Sequence, residues 1–217
     1  MARAGGMAEA ATGGAERPQV ETLDAAAAAA SGCRACPLWA RATQTVFGEG
    51  RAGAAVMFVG EQPGDQEDLQ GRPFVGPAGR LFDRALAEAG IERGRTYVTN
   101  AVKHFKFEPR GKRRIHQKPS TGEIRACRFW LEQELDLVQP RLVVALGATA
   151  VQAIFGKPMP IGRNRGRLLP FGDGRQAFVT VHPSYLLRVP DAAAKAAEYE
   201  KFLTDLRLVR EFLASVA

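Results

Sequence analysis

Short apolar runs alternate along most of the chain with longer stretches in which apolar residues recur at helical spacing. An uninterrupted apolar run of four to eight residues, bounded by turn residues, is typical of a buried strand. The predicted strands are Ala54–Val59, Tyr97–Thr99, Leu142–Leu146 and Ala177–Val181, together with two candidates on either side of the basic turn Arg163–Arg167. The chain therefore contains enough strand segments for one sheet.

The helical stretches lie between these strands. A stripe of apolar residues ended by glycine, or preceded by a serine or threonine cap, indicates the limits of a helix. The predicted helices are Gly79–Ala89, Thr121–Val138, Gly147–Ile154 and Ala192–Val216. This alternation of strands and helices predicts an α/β layer structure.

Polar residues follow the carboxyl ends of several predicted strands. Glu61 comes just after the first strand, Asn100 ends the second, and His182 follows the last. In open α/β sheets, ligands bind at this edge. We therefore expect a functional site there.

The N-terminal segment differs in composition from the rest. Residues 1–28 are rich in alanine and glycine, and we expect a disordered tail followed by one domain over residues 29–217. No apolar segment approaches the roughly 20 residues of a membrane span, and Ala25–Ala30 is too short for a signal peptide. These features predict a cytoplasmic protein that does not enter a membrane.

The chain of 217 residues is basic, with 30 lysines and arginines against 23 acids, a net charge of +7 and an isoelectric point near 9.7. Such a balance favours a polyanionic partner, and nucleic acid is the first candidate. Between Lys103 and Lys118, seven basic residues accompany a single acid, Glu108. The alternative interpretation of this basic segment is a solvated surface loop.

Three cysteines do not complete a disulfide framework, so metal binding or chemistry is favoured. Cys33 and Cys36 form a C-x-x-C pair, and Cys127 lies far downstream near the start of a predicted helix. Redox chemistry and ordinary buried cysteines are the alternatives. A redox C-x-x-C motif normally follows a strand in a βαβ unit, and no strand precedes Cys33. The chain has only three histidines: His104, His116 and His182.

Four ordered motifs carry a resemblance to a known family. They are Gly60-Glu61-Gln62-Pro63-Gly64, Gly71-Arg72-Pro73-Phe74-Val75-Gly76-Pro77-Ala78-Gly79, Asn100-Ala101-Val102-Lys103 and His182-Pro183-Ser184. Over almost all of Cys33 to Val216, the chain resembles the iron-sulfur, family-4 uracil-DNA glycosylases. It departs from them by His104, where the family has a cysteine, and by the insertion ending Arg113-Arg114-Ile115-His116. Both departures resemble the UdgX branch, whose members excise uracil and remain covalently attached to DNA.

The resemblance implies a three-layer α/β/α fold with a central, mostly parallel sheet. It also implies a 4Fe-4S cluster whose ligands would be Cys33, Cys36, His104 and Cys127. Imidazole can replace thiolate on cluster iron. By spacing alone, the same four ligands would also suit zinc.

The resemblance further implies a uracil pocket containing Gly60. Asn100 would read the base, Phe74 would stack on it, and His182 would hydrogen-bond uracil O2 as charge develops there. Glu61 would orient His116, the expected nucleophile toward C1′, and Gln62 would orient the sugar or exclude water.

The expected partner is uracil-containing DNA in a covalent complex with a protein monomer. The predicted DNA-binding residues are Lys112, Arg113, Arg114, Ser184 and Arg188, with donors from Gly147–Ala150 and a wedge over Tyr185–Arg188. Two alternatives stay open: a glycosylase that turns over and leaves a free abasic site, and a non-catalytic nucleic-acid-binding protein with structural zinc.

Overall fold

A computed structural model describes residues 20–172 and 174–215. The strands are β1 (Val56–Gly60), β2 (Tyr97–Asn100), β3 (Phe107–Arg110), β4 (Arg113–His116), β5 (Leu142–Leu146), β6 (Leu168–Phe171) and β7 (Arg175–Thr180). The α-helices are α1 (Leu23–Ser31), α2 (Asp65–Gln70), α3 (Pro77–Ala89), α4 (Thr121–Val138), α5 (Ala148–Phe155), α6 (Ile161–Asn164), α7 (Pro183–Arg188) and α8 (Ala192–Ser215). Short 3₁₀ helices cover Pro37–Ala40 and Arg93–Arg95.

Five strands form the central sheet in the order β2-β1-β5-β7-β6. All neighbours are parallel except β6, which pairs antiparallel with β7 at one edge. Every residue of β1, β2 and β5 is buried, as expected for strands covered on both faces.

Helices cover both faces of this sheet. One hydrophobic core places α1, α4 and α5 against one face, and a second core places α3, α7 and α8 against the other. The predicted three-layer α/β/α fold with a mostly parallel sheet is confirmed. The predicted bounds of the helix Thr121–Val138 and the strand Leu142–Leu146 match the structure.

The region before the basic turn differs from the prediction. Ile161–Asn164 is one turn of helix rather than a strand, and only the strand after the turn forms, as β6. The Asn164 side chain donates to the Pro160 carbonyl oxygen at 2.7 Å. This local bond competes with strand pairing.

The predicted disordered tail is wrong at its C-terminal end. Residues 1–19 lie outside the described part of the chain, but Leu23–Ser31 is helical, and Thr22 caps it by accepting a hydrogen bond from the Ala25 amide. Ala26 and Ala30 are completely buried against the rest of the domain. Small side chains allow this close packing, so an alanine run that resembles a linker forms part of the core.

The basic segment forms an ordered hairpin rather than a solvated loop. Strands β3 and β4 pair antiparallel, with Phe107 opposite His116 and Arg110 opposite Arg113. Gly111, with φ of 59°, makes the tight turn between them. We call Phe107–His116 the basic hairpin below.

No helix within the described residues is both long enough and apolar enough to cross a lipid bilayer.

Candidate active site

The carboxyl ends of four parallel strands meet at one edge of the sheet. Gly60 pairs with Asn100 across β1 and β2, and Leu146 pairs with Thr180 across β5 and β7. A cavity of about 1090 Å³ opens at this edge. Its lining includes eight predicted site residues: Glu61, Gln62, Phe74, Asn100, His116, His182, Ser184 and Arg188.

Phe74 reaches the cavity through an unusual backbone conformation. Its φ is 58°, which non-glycine residues rarely adopt. A β-carbon at Gly79 would lie 1.9 Å from the Phe74 carbonyl oxygen, and a β-carbon at Gly60 would lie 2.8 Å from the Phe74 ring. These two glycines therefore leave the space that Phe74 occupies.

Asn100 is nearly buried at the end of β2. A β-carbon at Gly60 would lie 2.3 Å from Asn100 Oδ1. Lys103 Nζ donates to the Asn100 carbonyl oxygen at 2.9 Å and so holds its backbone. Within the described ranges, no hydrogen bond occupies the side-chain amide of Asn100, which is available to a ligand.

His182 is fixed in one orientation as the N-cap of α7. Its Nδ1 accepts a hydrogen bond from the Ser184 amide at 3.1 Å, so the proton of the neutral ring lies on Nε2. Burial lowers the pKa of His182 to about 4, while nearby Glu61 partly opposes that shift. His182 is therefore a neutral donor at physiological pH.

Ser184 and Arg188 line the cavity and are linked to His182 by hydrogen-bond contacts. Ser184 Oγ is 2.8 Å from His182 Nδ1 and accepts a hydrogen bond from Arg188 Nη1 at 2.9 Å. The Ser184 hydroxyl is therefore engaged within the protein, and its predicted contact with phosphate stays a prediction. The exposed Arg188 keeps other guanidinium donors for DNA.

Glu61 and His116 form a carboxylate–imidazole pair across the cavity. Glu61 Oε1 lies 3.1 Å from His116 Nε2, and the side chains are 23% and 50% exposed respectively. The other oxygen, Oε2, accepts a hydrogen bond from Thr149 Oγ1 at 2.5 Å. Burial would raise the pKa of Glu61, but the hydrogen bonds from His116 and Thr149 outweigh it and lower the pKa.

Gln62 holds the basic hairpin in place. Its Nε2 donates to the carbonyl oxygens of Lys106 and Gln117 at 3.2 and 3.1 Å, and its Oε1 accepts from the Lys106 amide at 3.1 Å. The side chain is 6% exposed. Its amide therefore bonds to the backbone on both sides of the basic hairpin, and its expected role toward the sugar or water stays a prediction.

Arg114 also anchors the basic hairpin, and its predicted contact with phosphate stays a prediction. Its guanidinium is paired with Asp65, at 2.6 Å from Oδ1, and with the buried Asp68, at 2.5 Å from Oδ2. It also lies over the rings of Phe105 and Phe107. These contacts tie β4 to α2.

Lys112 and Arg113 differ from Arg114. Both are exposed at the tip of the basic hairpin, and no ion pair engages either of them in the part of the chain that the structure describes. Lys118, a cavity residue not assigned to the site from the sequence, lies two residues beyond His116. Lys118 and Arg188 are the lysine and arginine that line the cavity, and no ion pair engages either of them among the described residues.

The candidate metal ligands come from three separate segments. Cys33 and Cys36 lie around the start of the first 3₁₀ helix, and Cys127 lies in the second turn of α4 rather than at its start. All three are free thiols that pack in the same hydrophobic core, and burial raises the pKa of Cys127 to about 12. No three of the described histidine, cysteine or acidic side chains converge on a point that would hold a single ion.

His104 has a defined ring orientation. Thr45 Oγ1 donates to the Ala30 carbonyl oxygen at 3.0 Å and lies 2.9 Å from His104 Nε2. The Thr45 hydroxyl proton is thus engaged with Ala30, so His104 Nε2 must donate a hydrogen bond to Thr45 Oγ1. The lone pair of the neutral ring is then on Nδ1, the protonation pattern of a histidine ligand whose second nitrogen is held by a hydrogen bond.

Glu67 orders the site but was absent from the sequence-based assignment, and Thr149 was expected there only as one of the phosphate donors in Gly147–Ala150. Glu67 accepts hydrogen bonds from the Gly64 and Gly76 amides at 3.1 and 2.7 Å, which joins the first two motifs. Thr149 binds Glu61, as described above. For Thr149, the available signal was a polar residue shortly after an apolar strand, at the same sheet edge as Glu61.

The fold and the arrangement of this site place the chain in a known family. The profile of the uracil DNA glycosylase superfamily matches residues 47–207. The chain therefore belongs to the uracil-DNA glycosylase superfamily.

Curated relatives agree with this assignment. The chain is 41% identical over 157 residues to the "Type-4 uracil-DNA glycosylase" of Thermotoga maritima, covering 72% of this chain and 78% of that protein. It is 38% identical over 184 residues to a protein of the same name from Sulfurisphaera tokodaii, covering 81% and 80% respectively. A third relative with that name, from Saccharolobus solfataricus, is 33% identical over 204 residues, covering 90% and 88%.

Proposed function

We propose that this protein excises uracil from DNA and that His116 then forms a covalent bond to C1′ of the deoxyribose. Membership of the family and the similarity to type-4 enzymes support the excision step. The contact of 3.1 Å between His116 Nε2 and Glu61 Oε1, inside the cavity that also holds Asn100 and His182, carries the second step.

Uracil recognition follows from the groups around the cavity. The free amide of Asn100 can donate to uracil O4 and accept from N3–H, whereas cytosine presents the opposite pattern at these positions. Phe74 offers a ring face to a base that has been flipped out of the helix. Both side chains are nearly buried within the protein, which already restricts their motion, so little further ordering is needed on binding.

His182 assists departure of the base. As the C1′–N1 bond breaks, its electron pair moves onto uracil and the sugar becomes oxocarbenium-like. The Nε2–H of neutral His182 donates to O2, where negative charge develops. The Ser184 amide on Nδ1 keeps that proton on Nε2.

The Glu61–His116 pair then completes the reaction. The imidazole nitrogen that does not donate to Glu61 contributes its lone pair to C1′, forming a C–N bond. The ring becomes positively charged and releases its other N–H proton to the Glu61 carboxylate, which restores a neutral N-alkylated imidazole. This product has no good leaving group, so we expect it to persist.

The basic hairpin presents both the nucleophile and DNA contacts. Gln62 and Arg114 fix its position, and the exposed Lys112 and Arg113 are available to phosphates on either side of the flipped nucleotide. The monomeric state and the cytoplasmic location expected from the sequence stay predictions.

We also propose that Cys33, Cys36, His104 and Cys127 hold a 4Fe-4S cluster. The orientation of His104, with Nε2 bonded to Thr45, and the shared core position of the three free thiols suit these residues to iron ligation. The cluster would link the segment after α1, the loop after β2 and α4. Its role in this proposal is to stabilise the loop that follows Asn100.

The test is a fluorescently labelled, uracil-containing oligonucleotide incubated with the protein and analysed on a denaturing gel. We expect a protein–DNA band that resists denaturation and forms at about one equivalent. Strand cleavage after alkali without such a band would support a glycosylase that turns over, and neither product would support a non-catalytic binding protein.

Variants locate the bond. His116→Ala should abolish the stable band, whereas Lys118→Ala, a change in another cavity residue near the same hairpin, should retain it. Mass spectrometry of the digested adduct should place the deoxyribose-DNA mass on the peptide that contains His116, and specifically on that residue. The same mass on Lys112 or Lys118 would indicate a Schiff base and contradict the proposal.

A further inference from the structure

Thr149 lies in the first turn of α5 with its side chain 1% exposed. A threonine hydroxyl within a helix can bond to a carbonyl oxygen of the preceding turn, but Thr149 is the second residue of α5 and has no such turn before it. Here Oγ1 instead donates to Glu61 Oε2 at 2.5 Å, across 88 positions of sequence. Among the described residues, this is the only hydrogen bond of the Thr149 hydroxyl.

The sheet brings these two residues together. Val59 pairs with Ala145 across β1 and β5, so the residues that follow the two strands emerge side by side. Gly147, with φ of 89°, turns the chain into α5, and its amide donates to the Thr180 carbonyl oxygen at 3.0 Å. The position of Thr149 is therefore set by rigid elements on both sides.

Among the described residues, each Glu61 oxygen has one side-chain partner: Oε1 faces His116 Nε2, and Oε2 faces Thr149 Oγ1. The terminal torsion of a glutamate is intrinsically broad, so a single contact would not fix the plane of the carboxylate. Two contacts on opposite oxygens do fix it.

We infer that Thr149 is a positioning residue that fixes the rotation of the Glu61 carboxylate and thereby aims Oε1 at His116. This inference rests on the proposed function of the Glu61–His116 pair. Thr149 is not among the residues that line the cavity, and its hydroxyl points at the carboxylate, so it would act through Glu61.

Loss of the Thr149 hydroxyl should change the protonation of Glu61 as well as its orientation. The charged or titratable groups that face Glu61 are His116 from the basic hairpin and His182 from the end of β7. Burial raises the pKa of Glu61, and the hydrogen bond from Thr149 opposes that effect. Without the Thr149 hydroxyl, the pKa of Glu61 would therefore rise. The acidic limb of covalent bond formation should then move to higher pH.

The test compares Thr149→Val, which keeps the shape but lacks the hydroxyl, with Thr149→Ser, which keeps the hydroxyl. The pKa of the Glu61 carboxyl is measured by carbon-13 NMR in the DNA-free, metal-loaded protein. Single-turnover rates of adduct formation on the uracil oligonucleotide are measured across pH. We expect the valine variant to show a raised Glu61 pKa and an adduct rate about tenfold lower at neutral pH, and the serine variant to stay within about threefold of wild type.

An unchanged Glu61 pKa and adduct rate in Thr149→Val would overturn the inference. If that variant fails to fold, as judged by circular dichroism, Thr149→Ala is used with the same expectation. If wild type forms no adduct at all, the proposed function fails, yet the pKa comparison still decides whether Thr149 controls Glu61. The two failures are thus distinguishable.

Discussion

Lys103 and Glu134 form an ion pair that water barely reaches. Nζ lies 2.5 Å from Oε2, and the exposed fractions of the two side chains are 1% and 0%. The same carboxylate accepts hydrogen bonds from the Gly48 amide at 2.9 Å and the Tyr97 hydroxyl at 3.1 Å. Because each charge lies away from solvent, each depends on the other for stabilisation.

Removing one partner should therefore be costly. We expect Lys103→Met to lower the free energy of unfolding by about 3–5 kcal/mol, because it leaves the Glu134 carboxylate buried without a counter-charge. Chemical denaturation followed by circular dichroism measures this loss.

The control is the double variant Lys103→Met/Glu134→Gln. Glutamine keeps an acceptor for the Gly48 amide and removes the uncompensated charge, so the double variant should be more stable than Lys103→Met alone. Equal stability of the two variants would show that charge compensation is not what the pair provides.

His182 should make stability depend on pH. Burial lowers its pKa from 6.5 to about 4, so the folded protein binds this proton less readily than the unfolded chain. The resulting stabilisation is complete above about pH 6.5 and is lost as the pH falls from there toward 4. We expect His182→Gln to remove this part of the pH dependence, measured as unfolding free energies at a series of pH values. Parallel curves for the two proteins would contradict the prediction.

Arg113 and Arg114 should affect DNA binding in different ways although they are adjacent. Arg113→Ala should reduce the slope of log affinity against log salt by about 0.9 on duplex DNA or about 0.7 on a single strand, the value for one lost phosphate contact. Arg114→Ala should leave that slope unchanged and instead slow adduct formation, because it releases β4 from Asp65 and Asp68. Fluorescence anisotropy at several salt concentrations gives the slopes, and identical slope changes would show that both side chains contact phosphate.

Gly60 should be intolerant of a methyl group. In Gly60→Ala, the new β-carbon would lie 2.3 Å from Asn100 Oδ1, so the reading amide must move. A displacement of about 1 Å in a catalytic site can cost about 100-fold in rate, and we expect a loss of that order in single-turnover excision. The control is Gly162→Ala, where a β-carbon meets nothing within 4 Å. Comparable losses in both variants would attribute the effect to general instability.

The proposed cluster ligands make different contributions. Cys127→Ala should remove iron and sulfide and destabilise the protein, because metal binding is coupled to folding. His104→Cys should retain the cluster but lower its reduction potential, since imidazole ligands raise it relative to thiolate. Iron and sulfide analysis and a redox titration check both outcomes. Zinc without iron in the wild-type protein would contradict the cluster assignment.

Much of the architecture was predictable from the amino-acid sequence. The strand Leu142–Leu146 and the helix Thr121–Val138 have the predicted bounds, because burial on two faces and burial of one helical stripe each leave a periodic pattern. The same reasoning predicted that Glu61, Asn100 and His182 would share one edge of the sheet. Shorter elements escaped it: α2 and α7 have six residues each, too few for a clear apolar period.

The pairing of polar side chains was decided only by the tertiary structure. Within the basic segment, sequence does not distinguish Arg113 from Arg114, yet only Arg114 faces Asp65 and Asp68, which precede it by 49 and 46 positions. Thr149 and Glu61 are even farther apart, at 88 positions, and no local pattern connects them. The periodic pattern of apolar residues indicates which segments of the backbone are buried, because residues close together in one strand or helix pack against the same core. A hydrogen bond or ion pair between distant segments depends instead on strand order and helix position, which are determined when the whole chain packs.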